Sequence, residues 1–266
     1  MNLVFDIETV GYEFDTLSES QQEYILRYAE QEKDEIKREE KIEDAKRYLS
    51  LYPFTAKIVA IGMLNTKTEN IMVLYDSEQK EEWKNEERKT VYKSMNEIDM
   101  ISYFWDCVKK VDKIITFNGK NFDVPFIMLR SALLKVKPSR NLIKNKYDSS
   151  NHIDLLEQLT FYGITKKFNL DFYCHAFGIQ SPKSKGITGM EVKELYKAGR
   201  IKDIAVYCGD DVRATYNLYK IWNEYLNFAW KIFNKMKLNE DKYYYLRNVK
   251  ISVVLSLLLI IASFLV

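Results

Sequence analysis

The chain reads as an α/β domain, a mixed sheet with helices on both faces. Segments of strand character gather near the start, then alternate with amphipathic helical segments, then give way to helices, the order that such a layered sheet requires. The strands are short runs rich in Val, Ile and aromatic residues, bounded by turn formers. Apolar residues make up 47% of a chain of 266, enough to enclose a sizeable core.

The first strand is "LVFDIETV", Leu3 to Val10. Leu3, Val4, Phe5, Ile7 and Val10 are strand formers, yet the run holds two acids. In an extended chain Asp6 and Glu8 share one face, and Phe5 and Ile7 share the other. Two neighbouring carboxylates repel each other and resist losing water. On this stretch alone two readings stand open: a metal ion offsets that cost, or an edge strand keeps a wet acidic face.

Gly11 to Leu51 is strongly charged. "SESQQEYILRYAEQ" opens with capping residues and sets Tyr24, Ile25, Tyr28 and Ala29 at helical spacing. "EKDEIKREEKIEDAKRYL" continues as a solvated helix of mixed charge, so the region is expected to be an exposed helical insertion between strands. Two strands follow, "KIVAIGMLN" (57–65) and "NIMVLYD" (70–76), joined by a hairpin turn at "TKTE". "SEQKEEWKNEERKTVYKS" is polar and expected to be irregular or partly helical.

"NEIDMISYFWDCVKKV" is an amphipathic helix capped by Asn96, with Ile98, Ile101, Phe104, Trp105 and Val108 as its stripe. "KIITFNG" (113–119) is a buried strand, and "DVPFIMLRSALLKVK" is a helix with Pro125 near its start, where proline is tolerated. "NHIDLLEQL" (151–159) is a short strand or a strand-to-helix passage, and "NLDFYCHAFGI" (169–179) is a helix ended by Gly178. After the loop "SPKSKGITGME" come a short helix, "EVKELYKAG", and a long one from Ile201 to Leu226. The long helix carries its apolar stripe through Ile204, Val206, Val212, Leu218 and Ile221.

Charge is balanced, 40 Lys and Arg against 38 Asp and Glu, so the net sum neither demands nor excludes a polyanionic partner. Cys107, Cys174 and Cys208 form no CxxC pair, which argues against zinc ribbons and a disulfide framework and fits a reducing compartment. The first strand begins almost at Met1, with no signal peptide ahead of it. "ISVVLSLLLIIASFLV" (251–266) carries no charge, and a tyrosine-rich, basic collar precedes it. The segment 249–266 is therefore expected to be an apolar helix serving as a transmembrane tail anchor, with a buried core segment as the alternative.

The acids recur in a pattern. Asp6-x-Glu8 is followed by Asn118-x-x-x-Phe122-Asp123 after a buried strand, and then by Tyr207-x-x-x-Asp211 on the long helix. These resemble the three motifs of the DEDD 3′–5′ exonucleases. The third has the spacing of the tyrosine branch, since the histidine branch would need a histidine where Val206 stands. The chain is most similar to the proofreading exonuclease domain of family B DNA polymerases and to stand-alone proteins related to it. The resemblance covers residues 1–226, with 13–51 as an insertion; 227–248 is then a connecting helix or linker.

That resemblance implies a ribonuclease H-like, five-stranded mixed sheet. It implies two divalent ions, Mg²⁺ or Mn²⁺, held by Asp6, Glu8, Asp123 and Asp211, with Tyr207 orienting the attacking water. Asp6 would bridge both ions. Asp210 lacks the four-residue spacing to Tyr207 and is expected to be a solvated or capping acid. Phe117, Asn118, Phe122 and Lys185 are the candidate substrate contacts, with core packing the equal reading for the two phenylalanines. Asp154 is a candidate supporting residue, and His152 and His175 are expected to be structural.

The implied activity is metal-dependent 3′–5′ hydrolysis of single-stranded or frayed DNA to nucleoside monophosphates. An exoribonuclease and a membrane-tethered nucleic-acid-binding module without turnover are the alternatives. The expected partner is the 3′ end of single-stranded nucleic acid, and the expected location is the cytoplasm, with tethering by the tail.

Overall fold

The computed structural model describes residues 1–143, 150–181 and 191–228. Lys185, most of the linker expected at 227–248 and the apolar tail expected at 249–266 lie outside them. Among the described residues no helix is long and apolar enough to cross a membrane. The chain divides into two compact units, Met1–Lys220 and Ile221–Val266, and the candidate site residues all belong to the first.

Among the described residues seven strands form one mixed sheet: β1 (Leu3–Gly11), β2 (Ala56–Asn65), β3 (Ile71–Asp76), β4 (Glu82–Asn85), β5 (Thr90–Met95), β6 (Ile114–Thr116) and β7 (His152–Asp154). Their order is β4-β5-β3-β2-β1-β6-β7. Among the described residues eight α-helices accompany them: α1 (Glu19–Leu26), α2 (Glu35–Arg47), α3 (Glu97–Val108), α4 (Asp123–Leu133), α5 (Leu155–Leu159), α6 (Leu170–Ala176), α7 (Val192–Lys197) and α8 (Ile201–Tyr225). α1 and α2 fall within the charged region between β1 and β2. Ser18 and Gln21 form a capping box at α1, and pairs three residues apart lace α2, among them Lys46–Glu43 at 2.9 Å.

The five strands expected become seven, because the polar stretch after β3 is a hairpin. Its second strand pairs in parallel with β3 and buries Thr90, Tyr92 and Ser94 in strict alternation. Trp83 of β4 stands opposite Tyr92 and stacks on it, ring centroids 3.7 Å apart. The period is disguised because two of the inward residues, Thr90 and Ser94, are polar while the outward ones include the apolar Val91 and Met95.

The face of β1 that carries Phe5 and Ile7 packs into the main core with α3 and α4, where Phe5 meets Phe104 at 4.8 Å between centroids. In α3, Met100 takes the buried place expected of Ile98, which is 48% exposed. On the opposite face α8 lies directly on the sheet at Gly62, the cross-strand partner of Asp6. A Cβ at Gly62 would come within 2.7 Å of Val212 Cγ2 and 3.0 Å of Cys208 Sγ. Gly62→Ala is therefore expected to lift α8 from the sheet and to lower unfolding stability by about 1–3 kcal/mol, read as an earlier urea midpoint.

Candidate active site

Three segments distant in sequence meet beside β1. The first is β1 itself, whose pairing with β2 slips between Glu8 and Thr9: Glu8 stands opposite Ala60 and Thr9 opposite Ile58. Asp6 and Glu8 both turn toward α8, the helix face that the pleat assigns them. The second is α8, which supplies Tyr207, Cys208 and Asp211. The Cys208 sulfur and a carboxylate oxygen from each of Asp6 and Glu8 all lie within 4.8 Å of one another. The Cys208 thiol donates to the Asp6 carbonyl at 3.7 Å.

The third segment is the passage from β6 to α4. β6 pairs with β1 only at Leu3 and Val4. Further along β1, Asp123 at the start of α4 takes over, its Oδ1 accepting the Ile7 N–H at 3.1 Å. That single bond ties the carboxylate to the backbone between Asp6 and Glu8. The intervening turn is tight: Asn118 sits at φ 62, and a Cβ on Gly119 would lie 2.3 Å from Thr116 Oγ1.

Asp154 holds this turn from below. It is fully buried at the end of β7 and accepts the N–H groups of Asn118 at 3.0 Å and Lys120 at 2.9 Å. It also caps α5 by accepting from Leu156 at 3.0 Å and Glu157 at 3.4 Å. The same turn is fastened by the Lys120–Glu157 ion pair at 2.7 Å, largely removed from water. The sequence marks Asp154 only as a supporting candidate, because four backbone donors converging on one carboxylate leave no local pattern. Asp154→Ala leaves those donors without their acceptor and is expected to destabilise the fold by roughly 3 kcal/mol and to depress turnover. Urea unfolding and initial rates measure the two effects; a variant as stable as the wild type would contradict the role.

Burial first, then the negative charges of Asp123, Asp211 and Glu8, holds the Asp6 carboxyl well above the usual range. Burial followed by Asp211 and Asp123 does the same to Glu8. Asp123 is raised to about 7 by burial, with its backbone hydrogen bonds pulling the other way and Asp154 and Asp211 adding to the rise. Burial, with Asp211, Glu8 and Asp6 behind it, lifts the Tyr207 phenol well above 10.0, and Tyr207 is hydrogen-bonded to Asp211. The same causes keep the buried Cys208 thiol neutral.

The charges that act on Asp6 and Glu8 are all carboxylates. The oxygen donors of Asp6 and Glu8, with Asp123 and Asp211 acting on them, suit a hard divalent cation, and the Cys208 sulfur lies in the same group.

Asp210 turns away from this group and pairs with Arg88, so it is neither a solvated acid nor a cap. Phe117 sets its ring edge-on to Tyr173, centroids 5.8 Å apart. Phe122 packs against the main core and Phe126, a placement that favours the packing reading for this ring. Asn118 spends its side-chain oxygen on the Asn121 amide at 2.9 Å. His152 is buried against Thr116 at 2.7 Å, and burial pushes it down to about 3, so it is a neutral structural residue.

A family model described as "Predicted 3'-5' exonuclease related to the exonuclease domain of PolB" matches residues 48–229. Among curated proteins, a DNA polymerase of Thermococcus litoralis is 28% identical over 179 residues, covering 58% of this chain and 10% of the polymerase. DNA polymerase 1 of Sulfurisphaera ohwakuensis is 26% identical over 150 residues, covering 52% of this chain and 16% of its own length. The family B DNA polymerase from the hyperthermophilic archaeon Pyrobaculum calidifontis has a similar fold, with a TM-score of 0.52 and 19% identity over 83% of this chain and 24% of that one. The chain thus spans a small part of the polymerases it matches. The family match begins after β1, so Asp6 and Glu8 join the group through the packing of β1 against β2 and α8.

Proposed function

Because the chain belongs to the family of predicted 3′–5′ exonucleases related to the exonuclease domain of PolB, we propose that it hydrolyses the 3′-terminal phosphodiester of single-stranded or frayed DNA, releasing nucleoside monophosphates. Residues 1–226 form the catalytic unit, with 13–51 as an insertion. What supports this reading is geometric: carboxylate oxygens of Asp6 and Glu8 lie within 4.8 Å of each other and of Cys208 on α8, and Asp123 accepts the Ile7 N–H between them.

Asp6, Glu8, Asp123 and Asp211 would hold a pair of divalent cations, Mg²⁺ or Mn²⁺. Such ions supply Lewis-acid stabilisation of the charge that builds on the phosphate and the leaving 3′ oxygen, and they acidify the attacking water. The chain's own residues do the positioning. Without bound cations Tyr207 keeps its proton, since burial and the neighbouring carboxylates hold its phenol well above 10.0. It therefore acts as a hydrogen-bonding guide for the attacking water and not as the base that deprotonates it. Asp123 is fixed in direction by the Ile7 N–H, and Asp154 fixes the turn that delivers Asp123. Carboxylates held by backbone donors on a sheet need little rearrangement as the reaction proceeds.

The test is a gel of 5′-labelled single-stranded DNA and RNA, each incubated with Mn²⁺. The expected result is a ladder shortening from the 3′ end of DNA. Laddering of RNA alone would reassign the substrate, and retention of intact label on both polymers would overturn the reading.

A further inference from the structure

The side of the fold next to the catalytic turn carries rings that a chain folding only to bury apolar surface would have hidden. After α5, Phe161 and Tyr162 sit at φ 50 and 60, a conformation that bulky residues rarely adopt. The Tyr162 N–H donates to the Glu157 carbonyl at 2.7 Å, and the Thr165 N–H to the Thr160 carbonyl at 3.1 Å, so the turn is held in this shape. Both rings face solvent, 47% and 40% exposed. Backbone strain of this kind persists only where surrounding structure enforces it.

A second group of rings follows the first in the chain. Phe168 and Phe172 stack in parallel, centroids 4.0 Å apart and planes 9° from each other. Phe172 is half exposed. Lys166 lies 5.4 Å from the Phe168 ring centre, and Lys167 beside it is exposed. The acid of this stretch, Asp171, is engaged by Ser181 and lies 3.4 Å from His175. Tyr173 meets both Phe168 and Phe117 edge-on, and Phe117 immediately precedes Asn118 of the catalytic turn. Glu157, whose carbonyl holds Tyr162, is also the residue paired with Lys120 in that turn. The rings and lysines are thus continuous with the segment that delivers Asp123.

We propose that this shelf, built from Phe161, Tyr162, Lys166, Phe168 and Phe172, binds the unpaired nucleotides of a single-stranded nucleic acid as they approach the carboxylates. The assignment rests on the exonuclease reading for the direction of the strand. Aromatic faces accept any base, and lysines beside them meet the phosphates between bases, so the shelf binds without sequence preference. Electrostatic attraction to the backbone makes the binding weaken with salt.

The experiment uses the full chain in EDTA, with fluorescence anisotropy of labelled oligo(dT) and of an abasic strand of equal length. The wild type is expected to bind oligo(dT) more tightly than the abasic strand. Phe172→Ala is expected to weaken oligo(dT) binding about tenfold, the loss of one stacked base, while leaving the abasic strand nearly unaffected. Lys166→Glu, at an exposed position, is expected to weaken both strands and to flatten the salt dependence, and it carries the test if Phe172→Ala fails to fold. Folded variants that bind both strands as the wild type does would overturn the shelf, as would equal wild-type affinity for the two strands. Cleavage is measured separately with Mn²⁺. Normal binding without cleavage would count against the exonuclease reading and leave the shelf standing; cleavage with unaltered variant binding would do the reverse.

Discussion

Asp6→Asn is expected to reduce phosphodiester cleavage by roughly 10³-fold or more, and Asp211→Asn to do the same, because each removes a charged oxygen donor from the group assigned to the cations. In the absence of divalent ions the same substitutions are expected to leave the fold as stable or to stabilise it. Burial, and then Asp123, Asp211 and Glu8, penalises the charged form of Asp6, and a neutral amide removes that penalty. Opposite effects on rate and on metal-free stability separate this account from one in which Asp6 is a structural residue. A structural residue would lose both together. Initial rates with Mn²⁺ and thermal melts in EDTA read the two quantities on one preparation.

The second large effect is a reversal of the stability–pH slope on adding metal. Asp123 has its carboxyl raised from 3.8 to about 7, chiefly by burial. The folded state therefore keeps a proton that the unfolded chain has released, so this group's contribution is fully present below the unfolded value and is lost as pH rises through about 7. For a buried carboxyl the loss is on the order of a few kcal/mol, and Asp6 and Glu8 shift in the same direction. Without divalent ions, the melting temperature is expected to fall between about pH 5 and about pH 8. With Mn²⁺ the fall is expected to flatten or invert, because cations bind the deprotonated carboxylates and that binding strengthens as pH rises. A metal-free protein whose stability climbed across this interval would contradict the assignment of these pKa shifts to the folded state.

The carboxylate motifs were legible because each is short and locally anchored. Asp6-x-Glu8 shows through strand alternation, Asp123 through the turn after an apolar strand, and Tyr207 and Asp211 through helical spacing. β1, β2, β3, β6 and most helices follow from hydrophobic period in the same way. The β4–β5 hairpin did not, because β5 buries the polar Thr90 and Ser94 and turns the apolar Val91 and Met95 outward, so the two-residue period carries no clean apolar signal. Long-range partnerships were illegible for a different reason. The hold of Asp154 on Asn118 and Lys120, the approach of Cys208 to Asp6 and Glu8, and the pairing of Asp210 with Arg88 each join residues whose closeness is created by the fold. Gly62 belongs with them: it reads as an ordinary glycine in a strand until α8 is seen resting on it.

Caging of divalent cations by Asp6, Glu8, Asp123 and Asp211 is tested most directly by titrating Mn²⁺ into the protein and following the free ion by electron paramagnetic resonance. The wild type is predicted to take up about two ions per chain, more tightly as pH rises, and Asp211→Asn to lose at least one of them. No uptake by the wild type, or uptake by Asp211→Asn indistinguishable from it, would contradict the site.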